Sequence, residues 1–266
     1  MSTSARISLD AAIEGIGFWC RGLPSWADAR AFVRGGTRPD DAPARPSPQL
    51  LAPNERRRAP ESVAVALEVA LAACQAAGRD PAALPSVFAS THGDLAITDY
   101  MCATLAAEPA SLSPTRFHNS VHNAAAGYWT IGAGCLQPAT ALSAFDATFA
   151  QGLLEALAQL HAGAEAVLLV AYDTATTGAL GSAYTSHGLL GGALVLARPS
   201  RADRPRLRAT LVDGDAPPPR GPLADVAGGN AMAPMLPLFQ ALAAGDDLLG
   251  LHAGPRRTLR VEIAHG

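Results

Sequence analysis

The sequence predicts an α/β protein in which helices layer on a β-sheet. Short apolar stretches, such as residues 166–172, alternate with longer stretches of helical periodicity, such as residues 61–77 and 147–162. This alternation is typical of layered α/β domains. The chain has 266 residues, of which 49% are hydrophobic and 16% charged, so it can bury a large core.

The first half of the chain gives six elements. Residues 5–19 alternate apolar and polar side chains and predict an opening strand or hairpin, whereas residues 36–54 are rich in proline and predict an irregular loop. Alanine, valine and leucine at helical spacing predict a helix that ends before Gly78 and Pro81. That helix spans residues 61–77, and the remaining predictions are a buried strand over 87–90, a turn over 91–94 and a helix to about Ala106.

The second half is predicted in the same way. Residues 213–234 are rich in proline and glycine and predict a linker or mobile loop. Residues 124–133 are apolar and rich in alanine and glycine, which predicts a helix packed on all sides. The other predictions are a loop over 109–121, strands over 139–145, 166–172, 188–196, 207–212 and 258–263, and helices over 147–162 and 235–244.

Composition excludes several classes of function. The formal net charge is −3 and the isoelectric point about 6.1, which argues against a nucleic-acid-binding protein. The sequence has no uncharged apolar run of spanning length and no basic stretch followed by an apolar run at its start, so we expect a cytoplasmic protein without a membrane span. All 20 basic residues are arginine, so mechanisms that need a lysine are excluded.

The cysteines predict neither a disulfide framework nor a metal site. They are widely spaced, with no Cys-x-x-Cys pair, so we expect reduced, structural residues at Cys20, Cys74, Cys102 and Cys135. The glycine pair at residues 15–17 lacks the third glycine of a phosphate-binding loop. We therefore expect no cofactor and no metal.

Several segments resemble β-ketoacyl synthases, in particular the short ketoacyl-synthase-like proteins of aryl polyene and xanthomonadin-type pigment clusters. The likeness covers roughly residues 5–212 and is most specific over 113–127; the segments that carry it are 56–58, 87–94, 112–117, 120–127 and 188–196. The resemblance implies a truncated thiolase-like fold, with a mixed sheet layered with helices and the second half reduced. It divides the chain into a synthase N-terminal-like domain (1–212), the linker (213–234) and a helix–strand remnant (235–266) that packs on the same domain.

The resemblance also implies that this chain does not condense acyl groups. Asp146 falls where these synthases keep a nucleophilic cysteine at a helix N-terminus, and a carboxylate cannot take an acyl chain from a thioester. The two histidines after residue 200, His252 and His265, lie outside any matching motif. Independently of the resemblance, aspartate is a favoured N-cap, stabilising a helix by about 1 kcal/mol, so we expect Asp146 to cap the helix 147–162.

The non-condensing member of this family is a chain-length factor, and the resemblance implies that function here. The chain would form a heterodimer with a full-length β-ketoacyl synthase, antiparallel across the strand 139–145, contact an acyl carrier protein transiently, and help to shape the acyl tunnel. Residues assigned to the tunnel and interface are Thr140, Leu142, Ala144, Phe145, Asp146 and Phe149. Residues assigned to interface loops are His92, His118, Asn119, His122 and Asn123.

Other interpretations stay open. The chain could be an acyltransferase or thioesterase that uses Cys135, or Ser90 with His92, or it could be a homodimeric acyl-binding protein. His118 and His122 have the spacing of two zinc ligands on one helix face, but a structural role in a loop is the alternative. The run of arginines at 56–58 is either a solvated surface or a docking patch for an acidic carrier protein.

Overall fold

The structure is a computed structural model that describes residues 7–199 and 204–266. Its strands are β1 (Ser8–Cys20), β2 (Ser86–Ala89), β3 (Ala139–Leu142), β4 (Ala166–Asp173), β5 (Leu190–Ala197), β6 (Arg206–Asp213), β7 (Leu248–Gly254) and β8 (Arg257–Ala264). Its helices are α1 (Trp26–Val33), α2 (Pro53–Arg58), α3 (Glu61–Ala77), α4 (Leu95–Ala107), α5 (Pro114–Asn119), α6 (Ala124–Gly132), α7 (Thr148–Ala162), α8 (Pro222–Ala227) and α9 (Leu236–Ala244).

The strands form one eight-stranded mixed sheet in the order β3-β2-β4-β5-β1-β6-β8-β7. The pairs β2–β3 and β2–β4 are parallel, and the other neighbours are antiparallel. The α/β fold with a mixed sheet predicted from the sequence is confirmed. Because β3 is at one end of this order, one of its backbone edges has no neighbouring strand within the described chain.

Helix α3 covers one face of the sheet at unusually short range. A Cβ atom at Gly17 would lie 2.0 Å from the carbonyl oxygen of Val69, and one at Gly15 would lie 2.1 Å from that of Ala73. Only glycine therefore lets α3 approach β1 this closely. Gly15 and Gly17, which do not match the phosphate-binding loop motif, are therefore needed for the packing of α3 on β1.

Helix α7 lies at the centre of the core on the opposite face. Its residues Leu153 and Leu157 are fully buried, and α1, α8, α9 and β7 share the same hydrophobic cluster. The side chain of Gln151 donates a hydrogen bond of 2.8 Å to the carbonyl oxygen of Ala253 in β7. The C-terminal elements thus cover a helix that the N-terminal sheet alone would leave exposed.

Residues 8–20 form one long strand, the first of the two alternatives predicted there, while residues 5 and 6 of that prediction lie outside the described residues. Two predictions in the first half need correction. The predicted loops 36–54 and 109–121 contain the start of α2 and the whole of α5. In both helices a proline occupies the first turn, where its missing N–H costs nothing, so proline marked helix starts and not loops.

Three predictions further along the chain are also corrected, and one strand was missed. The predicted linker 213–234 contains α8 and buries Leu223 and Asn230, so it is packed and not a free linker. Helix α6 is not packed on all sides, because Ile131 is 82% exposed. Strand β3 ends at Leu142 instead of residue 145, and β7 was missed because Gly250 and Gly254 interrupt its apolar pattern.

Candidate functional site

A sharp strand-to-helix turn follows β3 and contains Asp146. Residues Phe145–Ala147 form one turn of 3-10 helix, and Phe145 has a φ of +50°, in the left-handed region that non-glycine residues rarely adopt. Such a conformation costs of order 1–3 kcal/mol, which the surrounding contacts must offset. Asp146 is exposed at this turn, directly before α7.

Asp146 does not cap α7, so that prediction is wrong. The helix has no side-chain cap bond at its N-terminus. The hydroxyl of Thr148 instead accepts a hydrogen bond of 2.9 Å from the backbone N–H of Ala144 and donates one of 2.6 Å to the carbonyl of Phe145. Because Thr148 stabilises the turn, the Asp146 carboxylate is left at the surface.

A buried carboxylate organises the neighbouring strand ends. Asp173, at the end of β4, accepts hydrogen bonds from the Ser90 hydroxyl (2.7 Å) and from the backbone N–H groups of Thr91 (2.9 Å) and His92 (3.2 Å). Ser90 in turn accepts from the N–H of Gly93 at 2.8 Å. Burial raises the pKa of Asp173 above its usual value, and these hydrogen bonds partly offset the shift.

The polar network extends to both sides of this turn. The hydroxyl of Ser143, just after β3, donates to the carbonyl of Thr91 at 2.9 Å. On the other side, the Asn230 side chain donates to the carbonyl oxygens of Asp173 (3.2 Å) and His187 (3.1 Å). The carboxyl ends of β2, β3 and β4 are thereby fixed relative to one another and to the C-terminal segment.

The predicted loop residues divide into two groups. Nε2 of His122 lies 2.8 Å from the carbonyl oxygen of Ser90, so this histidine satisfies a backbone group as expected for a structural role. The ring of His92 packs on Tyr184 at a centroid distance of 5.4 Å, and Tyr184 also contacts Phe145 at 5.8 Å. Tyr184 was missed in the sequence, which carries no signal for a contact between residues 39 positions apart.

The second group lies farther along the surface. Asn119 is buried and accepts a hydrogen bond from the Tyr128 hydroxyl at 3.1 Å, and the His118 ring packs edge-on against the same tyrosine. His118 and Asn123 line a groove of about 350 Å³ beside α6. His118 and His122 make separate contacts and do not share a helix face, and no cluster of three or more metal-ligating side chains occurs within residues 7–199 and 204–266.

Exposed apolar side chains surround the free edge of β3. Leu136, just before the strand, is 97% exposed, and Phe145, just after it, is 62% exposed. Tyr184, which is 44% exposed, packs on Phe145 at a centroid distance of 5.8 Å. We call these three residues, together with the free edge of β3, the edge patch; exposed apolar clusters of this kind mark interaction sites.

The structure separates the two phenylalanines that the sequence placed together. Phe149 is buried, at 1% exposure, and packs on Phe239 in the core at a centroid distance of 6.3 Å. Phe145 is in the edge patch. Of the pair, Phe145 is therefore the one available to contact another molecule.

An open groove of about 640 Å³ adjoins the edge patch. One wall is formed by the end of β3 and the turn that follows it, and the other by the end of β7. The floor is the outer side of α7. Its lining residues are Leu142, Ser143, Ala144, Ala147, Gln151, Leu154, Glu155, Ala158, Ala253 and Gly254.

The candidate nucleophiles are poorly placed for covalent chemistry. Cys135 is buried with its sulfur directed at the carbonyl of Leu84 (3.5 Å). Burial raises the pKa of Cys20 and of Cys74 to about 12 each. Ser90 is buried, and its hydroxyl donates a hydrogen bond to Asp173. The ring of His92, the base in the serine–histidine alternative, packs on Tyr184. Neither the cysteine nor the serine–histidine alternative has a nucleophile–base pair.

The fold and the strand-to-helix turn define a thiolase-like domain of the ketosynthase kind. The family model of the β-ketoacyl synthase N-terminal domain matches residues 26–210, more than half of the chain. The chain belongs to this family, and the resemblance inferred from the sequence is confirmed. No curated protein sequence matches the chain.

Solved structures share the fold over almost the whole chain. A ketosynthase in complex with its chain length factor from Xenorhabdus doucetiae matches with a TM-score of 0.76 and 22% identity, over 96% of this chain and 99% of that one. The ishigamide ketosynthase/chain length factor gives 0.72 and 15%, over 97% and 100%. A type II polyketide synthase acyl-carrier protein in complex with its ketosynthase gives 0.74 and 12%, over 98% and 100%. Within the described residues, no helix is long and apolar enough to cross a membrane.

Proposed function

We propose that this chain is a non-condensing, chain-length-factor-like subunit that pairs with an active β-ketoacyl synthase and forms part of the wall of the acyl tunnel. The observation that carries the proposal is the free edge of β3, surrounded by exposed apolar side chains and leading into a turn that holds Asp146 in place of a thiol. The similarity to structures of ketosynthase–chain length factor complexes supports it.

The backbone of β3 is suited to antiparallel pairing with a partner strand. The carbonyls of Pro138 and Leu142 accept hydrogen bonds from Ser86 and Ser90 of the β2 side. Because hydrogen-bonding direction alternates along a strand, Thr140 also points to β2, and Ala139 and Ala141 direct their N–H and C=O groups outward. Such an unpaired edge is a ready template for another chain.

The absence of a thiolate at the turn supports the non-condensing role. An exposed aspartate offers no sulfur for a thioester, and the cysteines at 20, 74 and 135 are buried. The partner would supply the nucleophile and its histidines. An acidic acyl carrier protein that binds transiently would find a basic surface at Arg57 and Arg58, which are exposed on α2.

Phe145 is the proposed tunnel residue of this subunit, together with Thr140, Leu142, Ala144 and Asp146 along the same strand and turn. An aromatic side chain that is 62% exposed beside the pairing edge would become buried on assembly. Since Phe149 is part of the core, it would support this wall from behind without touching an acyl chain. His92 would contribute through its contact with Tyr184.

Co-purification tests the pairing. The chain, carrying an affinity tag, is co-expressed with the full-length β-ketoacyl synthase encoded nearest to its gene, and the expected result is a 1:1 complex. Ala141→Pro removes an outward N–H and should abolish the complex, whereas Ala141→Ser keeps this N–H and should preserve it. Equal recovery of the synthase with both variants would overturn the pairing through β3.

Intact mass spectrometry tests the non-condensing role. The purified complex is incubated with an acyl thioester, and the expected result is an acyl adduct on the synthase alone. An adduct on this chain, mapped to Cys135 or Ser90, would instead favour the independent enzyme.

A further inference from the structure

The groove beside the edge patch has the surface of a helix-docking site. Along α7 it is lined by Ala147, Gln151, Leu154, Glu155 and Ala158, which recur at helical spacing and so form one stripe. The stripe is roughly 17 Å long at 1.5 Å per residue, about three helical turns. Small alanines at both ends let another helix approach closely.

One charged group interrupts this surface. Glu155 is partly buried, and its carboxylate accepts a hydrogen bond of 2.8 Å from the Gln159 amide. The same amide nitrogen lies 3.3 Å from the hydroxyl of Thr140. These contacts place Glu155 beside the middle of β3, at the level where a partner strand would cross the pairing edge.

The carboxylate has no cationic counterpart in the groove. Among the residues that the structure describes, no arginine or histidine lines this groove, and no ion pair involves Glu155. A charge that assembly would desolvate needs a partner of opposite sign. The geometry points to a partner helix that carries an arginine or lysine opposite Glu155; this inference rests on the proposed function, because it assumes assembly through β3.

The same carboxylate disfavours pairing between two copies of this chain. In an antiparallel pair of identical β3 strands, a two-fold axis near Ala141 would place both α7 helices on the same face of the joined sheet. The two Glu155 carboxylates would then lie on either side of this axis, on the same face, and would repel each other. Glu155 therefore selects a different partner over a second copy, by repelling the copy and by attracting the cation.

Charge complementation between copies of this chain tests the inference without any other protein. Wild type and Glu155→Arg are studied alone and as a 1:1 mixture by sedimentation velocity, with circular dichroism to show that both are folded. A pair of identical copies has like charges at position 155 on the two sides of the axis. A pair of one wild-type and one Glu155→Arg chain has opposite charges there. We expect the mixture to associate at least tenfold more tightly than either chain alone, and less tightly at high salt.

Two further variants test whether the association depends on the charge at position 155 and on pairing through β3. Asp225→Arg makes a charge change of the same size on α8, where Asp225 is exposed, and should give no association when mixed with wild type. Adding Ala141→Pro to both chains should abolish association of the complementary mixture. Association of wild type alone that is as tight as that of the mixture, or an equal effect of Asp225→Arg, would overturn the role of Glu155.

Failure of this inference is distinguishable from failure of the proposed function. A mixture without charge dependence, together with normal recovery of the synthase, removes the role of Glu155 and leaves the heterodimer intact. Charge-dependent pairing of the mixture, together with no recovery of any synthase, supports the charge selection at this groove and rejects the synthase as its partner.

Discussion

The Ser90 hydroxyl and the Asp173 carboxylate lie 2.7 Å apart at the adjoining ends of β2 and β4, and both side chains are buried. Asp173 also accepts from two backbone N–H groups, so its removal would leave three donors without a partner. Each buried donor left unpaired costs about 1–3 kcal/mol. Asp173→Ala should therefore lower the free energy of unfolding by several times this amount, as measured by urea denaturation.

Asp173→Asn should change how stability depends on pH. Burial raises the pKa of Asp173 in the folded state above its unfolded value, so the folded protein binds the proton more tightly. The contribution is favourable at low pH and is lost as the pH rises through the folded pKa. An asparagine does not titrate there. The free energy of unfolding of wild type minus that of the variant should thus fall as the pH rises from about 4, by up to about 1.4 kcal/mol per unit. Parallel pH profiles would contradict the raised pKa.

The four thiols should differ sharply in reactivity. Cys102 is exposed on α4, whereas Cys20, Cys74 and Cys135 are buried, and the pKa of Cys20 and of Cys74 is raised to about 12. A thiol-reactive chromophore at pH 8 should therefore label one thiol rapidly in the native chain and four in denaturant. Cys102→Ser should abolish the rapid phase. Rapid labelling of Cys135 would reopen the case for a catalytic cysteine.

The two phenylalanines should respond oppositely to truncation. Phe149→Ala removes a core ring that packs on Phe239 and should lower the free energy of unfolding by about 3–5 kcal/mol. Phe145→Ala removes an exposed ring and should change it by less than about 1 kcal/mol. In the complex, Phe145→Ala should lengthen the acyl products, measured by mass spectrometry of the released chains. Unchanged products from a stable complex would reject the tunnel assignment of Phe145 without affecting the pairing.

The sequence was a good guide to elements that repeat a local pattern. The helix 61–77 is α3 to the residue, and the strand 166–172 is β4 to within one residue, because periodicity and the stop at Gly78 are local properties. The prolines at the start of α5 and of α8 begin helices, so the prediction of a loop at α5 and of a linker at α8 was wrong.

The details of the candidate site could not be predicted in the same way. The position of Asp146 on a strand-to-helix turn was recognised, but its role as a cap was wrong, because Thr148 forms those bonds. Phe145 is exposed whereas Phe149 is buried, and this difference depends on the left-handed φ at residue 145. No local sequence pattern indicates such a φ in a phenylalanine. The groove at Glu155 depends on β7, which lies about 100 residues farther along the chain and whose register is set by its pairing with β8.

The C-terminal hairpin should be required for folding, because it covers α7 and extends the sheet. Strand β8 pairs with β6 over eight positions, and four of the side chains that the hairpin contributes are at most 4% exposed: Leu251, Leu259, Val261 and Ile263. Burial of each contributes about 1.5–3 kcal/mol, so their combined loss approaches the 5–15 kcal/mol by which domains are usually stable. A chain that ends at Gly245 should therefore lack a cooperative thermal transition in circular dichroism, while Gln151→Ala, which removes only the bond to Ala253, should shift that transition by a few degrees. A truncated chain that still unfolds cooperatively would show that the N-terminal sheet can bury α7 without the hairpin.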